Sequence, residues 1–402
     1  MEKEIERQLE IIKRNTVEVI EENELREKLR RSLTENKPLR IKYGIDPTSP
    51  EIHLGHAVPI KKLKDFQMLG HKVIFLIGDF TARIGDPTGR KETRPILTPE
   101  EIKQNLMTYK EQVSKILDVE KTEFVYNSEW LTKLNLEDLI KLTSIFTVAQ
   151  LLEREDFSER YKENRPIFLH EFLYPLLQGY DSYVLSADVE IGATEQKFNL
   201  LAGRTIQFYL GQEKQVVITM PILIGTDGKL KMSKSYRNHI PLNTTPFDMF
   251  GKIMSIPDSI MEDYFSLMTD IEVSVYKKMI KENPRDAKAF LAKEIVKEFF
   301  NEEEAIRAEE EFNRIFREKE LPSEIPEIKI EREILNSEGK IEIIELLTKK
   351  GIVNSKSEGK RLIIQKAVKV NGQVILEPDK KIKIEDGMVI KVGKRKFFRI
   401  RV

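Results

Sequence analysis

Two short stretches carry residues suited to phosphate chemistry. In Gly44-Ile-Asp46-Pro47-Thr48-Ser-Pro-Glu-Ile-His53-Leu54-Gly55-His56, a strand-like run turns into a helical one with two histidines around a glycine. Imidazoles three apart share a helix face. The helix start points free N–H groups and its positive end outward, and Gly55 lets an anionic or flat group approach the backbone. Donors so arranged can stabilise charge growing on a phosphorus. The second stretch, Gly225-Thr-Asp-Gly228-Lys-Leu-Lys231-Met232-Ser233-Lys234-Ser235, soon follows an apolar run ending at Met220. A lysine-rich loop at the carboxyl end of a parallel strand can swing over a triphosphate and neutralise departing pyrophosphate. Each stretch alone has a plainer reading: half a metal site or two surface imidazoles, and a solvated charge run. With no cysteine and no other histidine-rich partner in the sequence, the expectation is no metal site. Neither Gly85-Asp-Pro-Thr-Gly89-Arg90-Lys91 nor the 225 loop has Walker A spacing.

Positioning these residues requires a sheet. Leu39 to Ile45 reads as a strand feeding the turn 46–50, and Gly55 to Leu69 as a helix stopped by Gly70. Lys72 to Gly78 and Gln215 to Met220 are unbroken apolar runs of strand length, the pattern of parallel strands covered on both faces. The expected fold class is α/β, with a Rossmann-type parallel-sheet core. From about 99 to 177 the pattern is mostly helical, with Thr98-Pro99-Glu100-Glu101 as a helix start, and reads as an insertion. The expected domains are 1–222, catalytic with the insertion; 223–320, the lysine loop and a helical domain; 321–338, a proline-punctuated linker; and 339–402, a small basic α+β domain.

The 402 residues exceed one ordinary core. Absence of cysteine excludes a disulfide framework and a thiol nucleophile and suits a reducing cytoplasm. No apolar run approaches the roughly 18 residues of a membrane span, so no membrane partner is expected. Lys+Arg and Asp+Glu balance at 67 each, yet residues 339–402 hold 17 basic against 7 acidic side chains, a net of +10. One end is built for polyanions.

The pair His53-Leu-Gly-His56 and Lys231-Met-Ser-Lys-Ser235 resembles the two signatures of class I aminoacyl-tRNA synthetases, HIGH and KMSKS, departing only at Leu54. From about residue 35 onward the chain resembles the tyrosyl-tRNA synthetases, bacterial form. The resemblance implies His53, His56, Lys231 and Lys234 as catalytic residues, acting with ATP and its Mg²⁺. It implies ATP contacts at Asp46, Thr48, Gly55, Glu195, Met232 and Ser233, with Arg90 and Arg94 near the pyrophosphate. It implies tyrosine contacts at Thr81, Asp86, Tyr174, Gln178, Asp181 and Gln196. Independently of it, positions 174, 178 and 181 recur at i, i+4 and i+7 and share one helix face. A buried Asp needs a donor, which a phenol supplies, and a site built for that hydroxyl rejects a substrate lacking it, a rule whose standing example is the tyrosine enzymes themselves.

Two departures bear on the pocket. Gly192-Ala193-Thr194-Glu195-Gln196 stands where relatives commonly carry Gly-Gly-Thr/Ser-Asp-Gln, so the Glu195 carboxylate sits one methylene further out. Lys42 stands where many relatives place a phenol-binding Tyr, with Tyr43 beside it; strand neighbours face opposite sides, and either could enter the pocket. The segment from Ile341 to Gly372 resembles the RNA-binding domain named after a ribosomal protein of the S-four type, with Lys356, Lys360, Arg361 and Lys366 as phosphate contacts and Asn371-Gly372 as a hairpin turn. Expected partners are tyrosine, ATP and tRNA(Tyr), with a homodimer as in relatives and a cytoplasmic location. A tryptophan enzyme of the same class and an RNA-binding protein without synthetase activity are the alternatives.

Overall fold

The structure, a computed structural model, describes residues 1–86, 98–318, 321–322, 325–393 and 396–402. The chain forms two compact units, Met1–Thr245 with Lys252–Glu302, and Pro246–Gly251 with Glu303–Val402.

The first unit is built on a sheet of β1 (Glu18–Ile20), β2 (Arg40–Ile45), β3 (Lys72–Ile77), β4 (Thr122–Tyr126), β5 (Val189–Ala193) and β6 (Val216–Met220), ordered β1-β6-β5-β2-β3-β4. β2 to β6 pair in parallel, and β1 runs antiparallel along β6. The apolar runs of β3 and β6 are buried along nearly their whole length, as strands covered on both faces must be. Helix α3 (Leu54–Met68) packs on β2 and β3, α2 (Glu22–Glu35) on β6, and α1 (Glu2–Lys13) on the other two helices. The chain runs outward from β2 through β3 to β4, then returns to β5 and proceeds the other way to β6. The order therefore reverses between β2 and β5, and in such sheets ligands bind outside the carboxyl ends of the strands at that reversal.

The insertion is less uniform than its sequence. Around β4 lie α4 (Pro99–Leu106), α5 (Tyr109–Ser114), α6 (Ser128–Leu131), α7 (Leu136–Thr143), α8 (Val148–Leu152) and α9 (Glu155–Lys162). α4 begins at the expected capping box, Thr98 with Glu101. β4 itself lies inside the stretch read as helical: a half-exposed Thr-Glu-Phe-Val-Tyr at the sheet edge lacks the apolar run that betrays a central strand. Next come α10 (Leu169–Val184) and α11 (Lys197–Tyr209), packed together. β5 lacks an unbroken apolar run because Glu190 interrupts it at its second position. Beyond the lysine loop are α12 (Pro246–Ile253), α13 (Met261–Met268), α14 (Val273–Glu282), α15 (Pro284–Phe299) and α16 (Glu302–Phe316).

In the second unit, residues 327–402 fold around one apolar core that includes Ile330, Ile343, Leu346, Ile363, Val368 and Ile390. Its strands are β7 (Glu327–Lys329), β8 (Lys340–Glu342), β9 (Val368–Val370), β10 (Gln373–Val374), β11 (Lys381–Lys383), β12 (Val389–Val392) and β13 (Lys396–Arg401), with α17 (Ile343–Lys349) and α18 (Lys356–Ile364). β10-β9-β12-β13-β7 form one sheet and β11-β8 a second. β7 falls within the stretch read as linker: its charged Glu-Ile-Lys pattern hides the pairing with β13. Asn371 and Gly372 both have positive φ, at 45° and 82°, as the two central residues of a type I′ hairpin turn require.

Ile218, fully buried at the centre of β6, reports on the sheet. Ile218→Ala is expected to lower unfolding free energy by about 2–5 kcal/mol, read from urea denaturation of the whole chain.

Candidate active site

A string of hydrogen bonds crosses the carboxyl edge of the sheet. Asp46, directly after β2, accepts from the Thr81 hydroxyl at 2.8 Å and the Tyr174 hydroxyl at 2.9 Å. Thr81 follows β3 across Gly78, where an added Cβ would stand 2.2 Å from Asp46 Oδ1 and 2.4 Å from Thr81 Oγ1. A side chain there would push the pair apart. Asn127, directly after β4, donates through Nδ2 to Thr81 Oγ1 at 3.1 Å and to Asp181 Oδ2 at 3.2 Å. Trp130 Nε1 donates to Asp181 Oδ1 at 2.7 Å. The string thus runs Tyr174, Asp46, Thr81, Asn127, Asp181, Trp130. Asn127 and Trp130 were not foreseen, because both hang on β4, the strand the sequence concealed.

Tyr174, Gln178 and Asp181 lie on one face of α10, as their spacing predicts. Gln178 Nε2 donates to Glu190 on β5 at 3.1 Å. Asp181 is buried, and burial pushes its carboxyl up to about 7, opposed most strongly by the charge of Lys42 and then by the Trp130 and Asn127 hydrogen bonds. Strand alternation separates Lys42 from Tyr43. Lys42 Nζ reaches α10, donating to the Gln178 carbonyl at 2.9 Å and Ser182 Oγ at 2.8 Å and pairing with Glu190 at 2.9 Å. Tyr43 takes the other face, with its ring edge-on to Phe75 at 5.5 Å, and burial raises its hydroxyl's pKa. Of the two, Lys42 belongs with the α10 residues; Tyr43, carried by the pleat to the opposite face, does not.

Asp86 receives Gln196 Nε2 and Asn199 Nδ2, each at 3.4 Å, so two tyrosine-site expectations, Asp86 and Gln196, meet beyond β5. Thr48 closes the turn through its N–H to the Asp46 carbonyl at 2.8 Å. Arg90 and Arg94 lie outside the described residues.

His53 caps α3, and the His56 ring stacks on it at 3.8 Å while accepting from the His53 N–H at 3.3 Å. His239, which no motif marked, stands 6.1 Å from the His53 ring. Burial, reinforced by His56 and His239, holds His53 well below the usual histidine range, so its imidazole is neutral near pH 7 and can offer one N–H. An added Cβ at Gly55 would meet the His53 ring at 3.0 Å and Met232 Cβ at 3.5 Å. Gly55 therefore sits where the first signature touches the second.

The lysine loop is folded back by Gly225 N–H to Leu230 O and Met232 N–H to Leu223 O, at 2.8 and 2.9 Å. Asn238 Oδ1 accepts from Ser233 N–H at 2.8 Å, and its amide donates to the Lys231 carbonyl. Lys231 Nζ grips both oxygens of Glu195 at 2.9 and 2.8 Å; Lys234 Nζ lies 3.2 Å from Ser49 Oγ and 3.3 Å from Glu51. The extra methylene of Glu195 thus carries its carboxylate to a lysine of the other signature.

In the second unit Lys356, Lys360, Arg361 and Lys366 are all exposed on and just after α18, whose first turn is capped by Ser355. None of the four pairs with a carboxylate among the described residues.

The chain matches the model of class I tRNA synthetases (W and Y) over residues 34–317, and that of the S4 domain over residues 344–388. It is 55% identical to the tyrosine–tRNA ligase of Carboxydothermus hydrogenoformans, over 99% of this chain and 98% of that protein. The chain belongs to the class I tyrosyl-tRNA synthetase family. It is also 52% identical to the tyrosine–tRNA ligase of Aquifex aeolicus, covering 98% of each chain. The crystal structure of the tyrosyl-tRNA synthetase of Archaeoglobus fulgidus complexed with L-tyrosine superposes with a TM-score of 0.60 at 26% identity, over 76% of this chain and 99% of that one. Membership accounts for the Rossmann-type core and for the small C-terminal α+β domain. No helix among the described residues is long and apolar enough to cross a membrane.

The His53 environment gives a direct check. Its ring signals in an NMR titration are expected to remain those of neutral imidazole at pH 6.5, where an unperturbed histidine is about half protonated.

Proposed function

We propose that this chain activates tyrosine with ATP and transfers it to tRNA(Tyr). The tyrosine carboxylate attacks the α-phosphorus in line; the bond to the bridging oxygen breaks, pyrophosphate leaves, and tyrosyl-adenylate remains. The acyl group then passes to a ribose hydroxyl at the tRNA terminus, releasing AMP. The observation that carries this reading is the buried Asp181 carboxylate, set between Trp130 and Asn127 on the face that also bears Tyr174 and Gln178. Two donors leave acceptor capacity on its oxygens, and a phenol hydroxyl matches it. At the other end of the face, Thr81, Tyr174, Asp86, Gln178 and Gln196 supply acceptors for an ammonium group, while Asp46, bonded to Thr81 and Tyr174, faces ATP.

In this reading the His53 and His56 imidazoles meet the phosphates, with Gly55, Met232 and Ser233 shaping the nucleotide side and Thr48 the turn beneath. Lys231 and Lys234 exchange their carboxylates for the leaving pyrophosphate, and the family resemblance adds Arg90 and Arg94 as further pyrophosphate contacts. Glu195, once Lys231 lets go, accepts from the adenosine ribose. Mg²⁺ arrives as the counter-ion of ATP. Positioning and charge compensation supply the rate. Residues 1–222 act as the catalytic domain, 223–320 as the loop-bearing helical domain and 339–402 as an RNA-binding domain that meets tRNA phosphates through Lys356, Lys360, Arg361 and Lys366. The enzyme works in the cytoplasm as a homodimer; exposed Leu136, Ile140, Val148, Phe168 and Leu169 on and beside the insertion helices supply an apolar face for the second copy.

ATP–pyrophosphate exchange without tRNA, run with tyrosine, phenylalanine and tryptophan, tests the reading. Exchange with tyrosine alone is expected; exchange with tryptophan alone would reassign the pocket, and none with any of the three would remove the activity. Lys234→Ala is expected to slow adenylate formation in single turnover by tenfold or more while leaving tyrosine affinity within about twofold. Because an ionised carboxylate accepts from the phenol more strongly than a protonated one, kcat/KM for tyrosine is expected to fall as pH drops through about 7, to which burial pushes the Asp181 carboxyl. The value for phenylalanine should lack that limb.

A further inference from the structure

Beneath the tyrosine face of α10 lies an ion pair with no contact to solvent. Lys42 and Glu190 are register partners on β2 and β5, the two strands between which the sheet order reverses, and their side chains are 0% and 1% exposed. Lys42 Nζ donates to the Gln178 carbonyl at 2.9 Å and Ser182 Oγ at 2.8 Å and stands 2.9 Å from Glu190 Oε1. Glu190 also accepts from Gln178 Nε2 at 3.1 Å, Ser182 Oγ at 3.0 Å and Gln215 Nε2. We propose that Lys42 and Glu190 are the positioning pair of the tyrosine pocket, clamping Gln178 by both its backbone and its side chain and supplying the two opposed charges that face Asp181.

The proposal rests on the tyrosine reading above and adds residues that do not themselves touch the substrate. A buried ion pair is a poor stability device, since its desolvation offsets its attraction; what it provides is orientation. Gln178 is held by Lys42 at its carbonyl and by Glu190 at its amide, so its remaining hydrogen-bonding capacity points in one direction. Among the described residues, the charged groups facing the Asp181 carboxyl are Lys42 from β2, favouring ionisation, and Glu190 from β5, opposing it; Trp130 and Asn127 from the insertion are neutral donors. Replacing one charge should move Asp181 one way, and replacing the other should move it the opposite way. A pair whose charges did not reach Asp181 would not produce that sign reversal.

The test is the pH dependence of tyrosine-dependent exchange in the full-length chain. In Lys42→Met the acid limb of kcat/KM for tyrosine is expected to move up by about one pH unit, and in Glu190→Gln down by about as much, each a tenfold change in proton affinity. KM for tyrosine should rise about tenfold in Lys42→Met, the equivalent of one lost hydrogen bond to a charged donor, with KM for ATP unchanged. Should Lys42→Met fail to fold with Glu190 left unpaired, Glu190→Gln, isosteric and neutral, still carries the sign of the shift. Limbs that stay in place, or move in the same direction in both folded variants, would overturn the proposal. Failure of the unaltered chain to exchange with tyrosine would instead overturn the reading on which it rests.

Discussion

The site depends on a crowd of carboxyl groups at the carboxyl edge of a parallel sheet. Asp46, Asp181 and Glu190 stand within a few strands of one another, and Asp181 and Glu190 are each about 1% exposed. A carboxylate taken from water must be paired or hydrogen-bonded, or it takes up a proton. The fold answers each of them differently. Among the described residues, Asp46 receives two hydroxyls and Glu190 an ammonium, two amides and a hydroxyl, while Asp181 receives only two neutral donors and Lys42's field from a distance. Asp181 is therefore the under-served member, with its proton affinity raised, and in the proposed reading an incoming phenol completes its shell. In that reading, specificity comes from leaving one buried acceptor short of a donor.

That logic also explains the geometry around it. Donors to Asp181 come from residues 127 and 130, just beyond β4, and Lys42 comes from β2, so the insertion and the core must be held in register for the pocket to exist. Gly78 allows the loop after β3 to approach Asp46, and Asn127 bridges that loop to α10. The Asn127 side chain also accepts from the Phe80 N–H at 3.0 Å, so both ends of its amide are committed. A residue so used has no rotameric freedom left, and the string it joins behaves as one rigid unit.

Much of the architecture was legible in the chain. Where apolar runs were unbroken, as in β3 and β6, strand, burial and parallel pairing followed from the pattern. The α10 face was legible because helical spacing alone aligns 174, 178 and 181, and the hairpin because Asn-Gly suits left-handed φ at both positions. The hidden elements share a physical cause. β4, β5 and β7 each carry charge within three to five residues, and it is neutralised by partners distant in sequence: Glu123 by Lys72, Glu190 by Lys42, Glu327 by Arg401. Periodicity cannot register such compensation, so residues that depend on those strands, Asn127 and Trp130 above all, stayed out of sight. The face on which Lys42 falls was undecidable for the same reason: period two allows either phase, and only packing of α10 against the sheet chooses one.

The two signature lysines illustrate a complementary economy of charge. Lys231 and Lys234 are held by Glu195 and Glu51 in pairs whose side chains are roughly one third to one half exposed, and pairs of that exposure hold weakly because water and salt screen them. A strong buried pair here would pin the loop against any exchange of partner. An unpaired loop would scatter its lysines over many rotamers and pay the full ordering entropy on binding. In the proposed reading, weak carboxylate partners avoid both extremes: they keep the cations close to where the polyanion would arrive, and a triphosphate with several negative charges would outcompete a single screened carboxylate. Lys42 is the contrast, a charge held in the core by two hydrogen bonds and its pairing with Glu190, whereas the proposed role of the loop lysines asks for charges that can move.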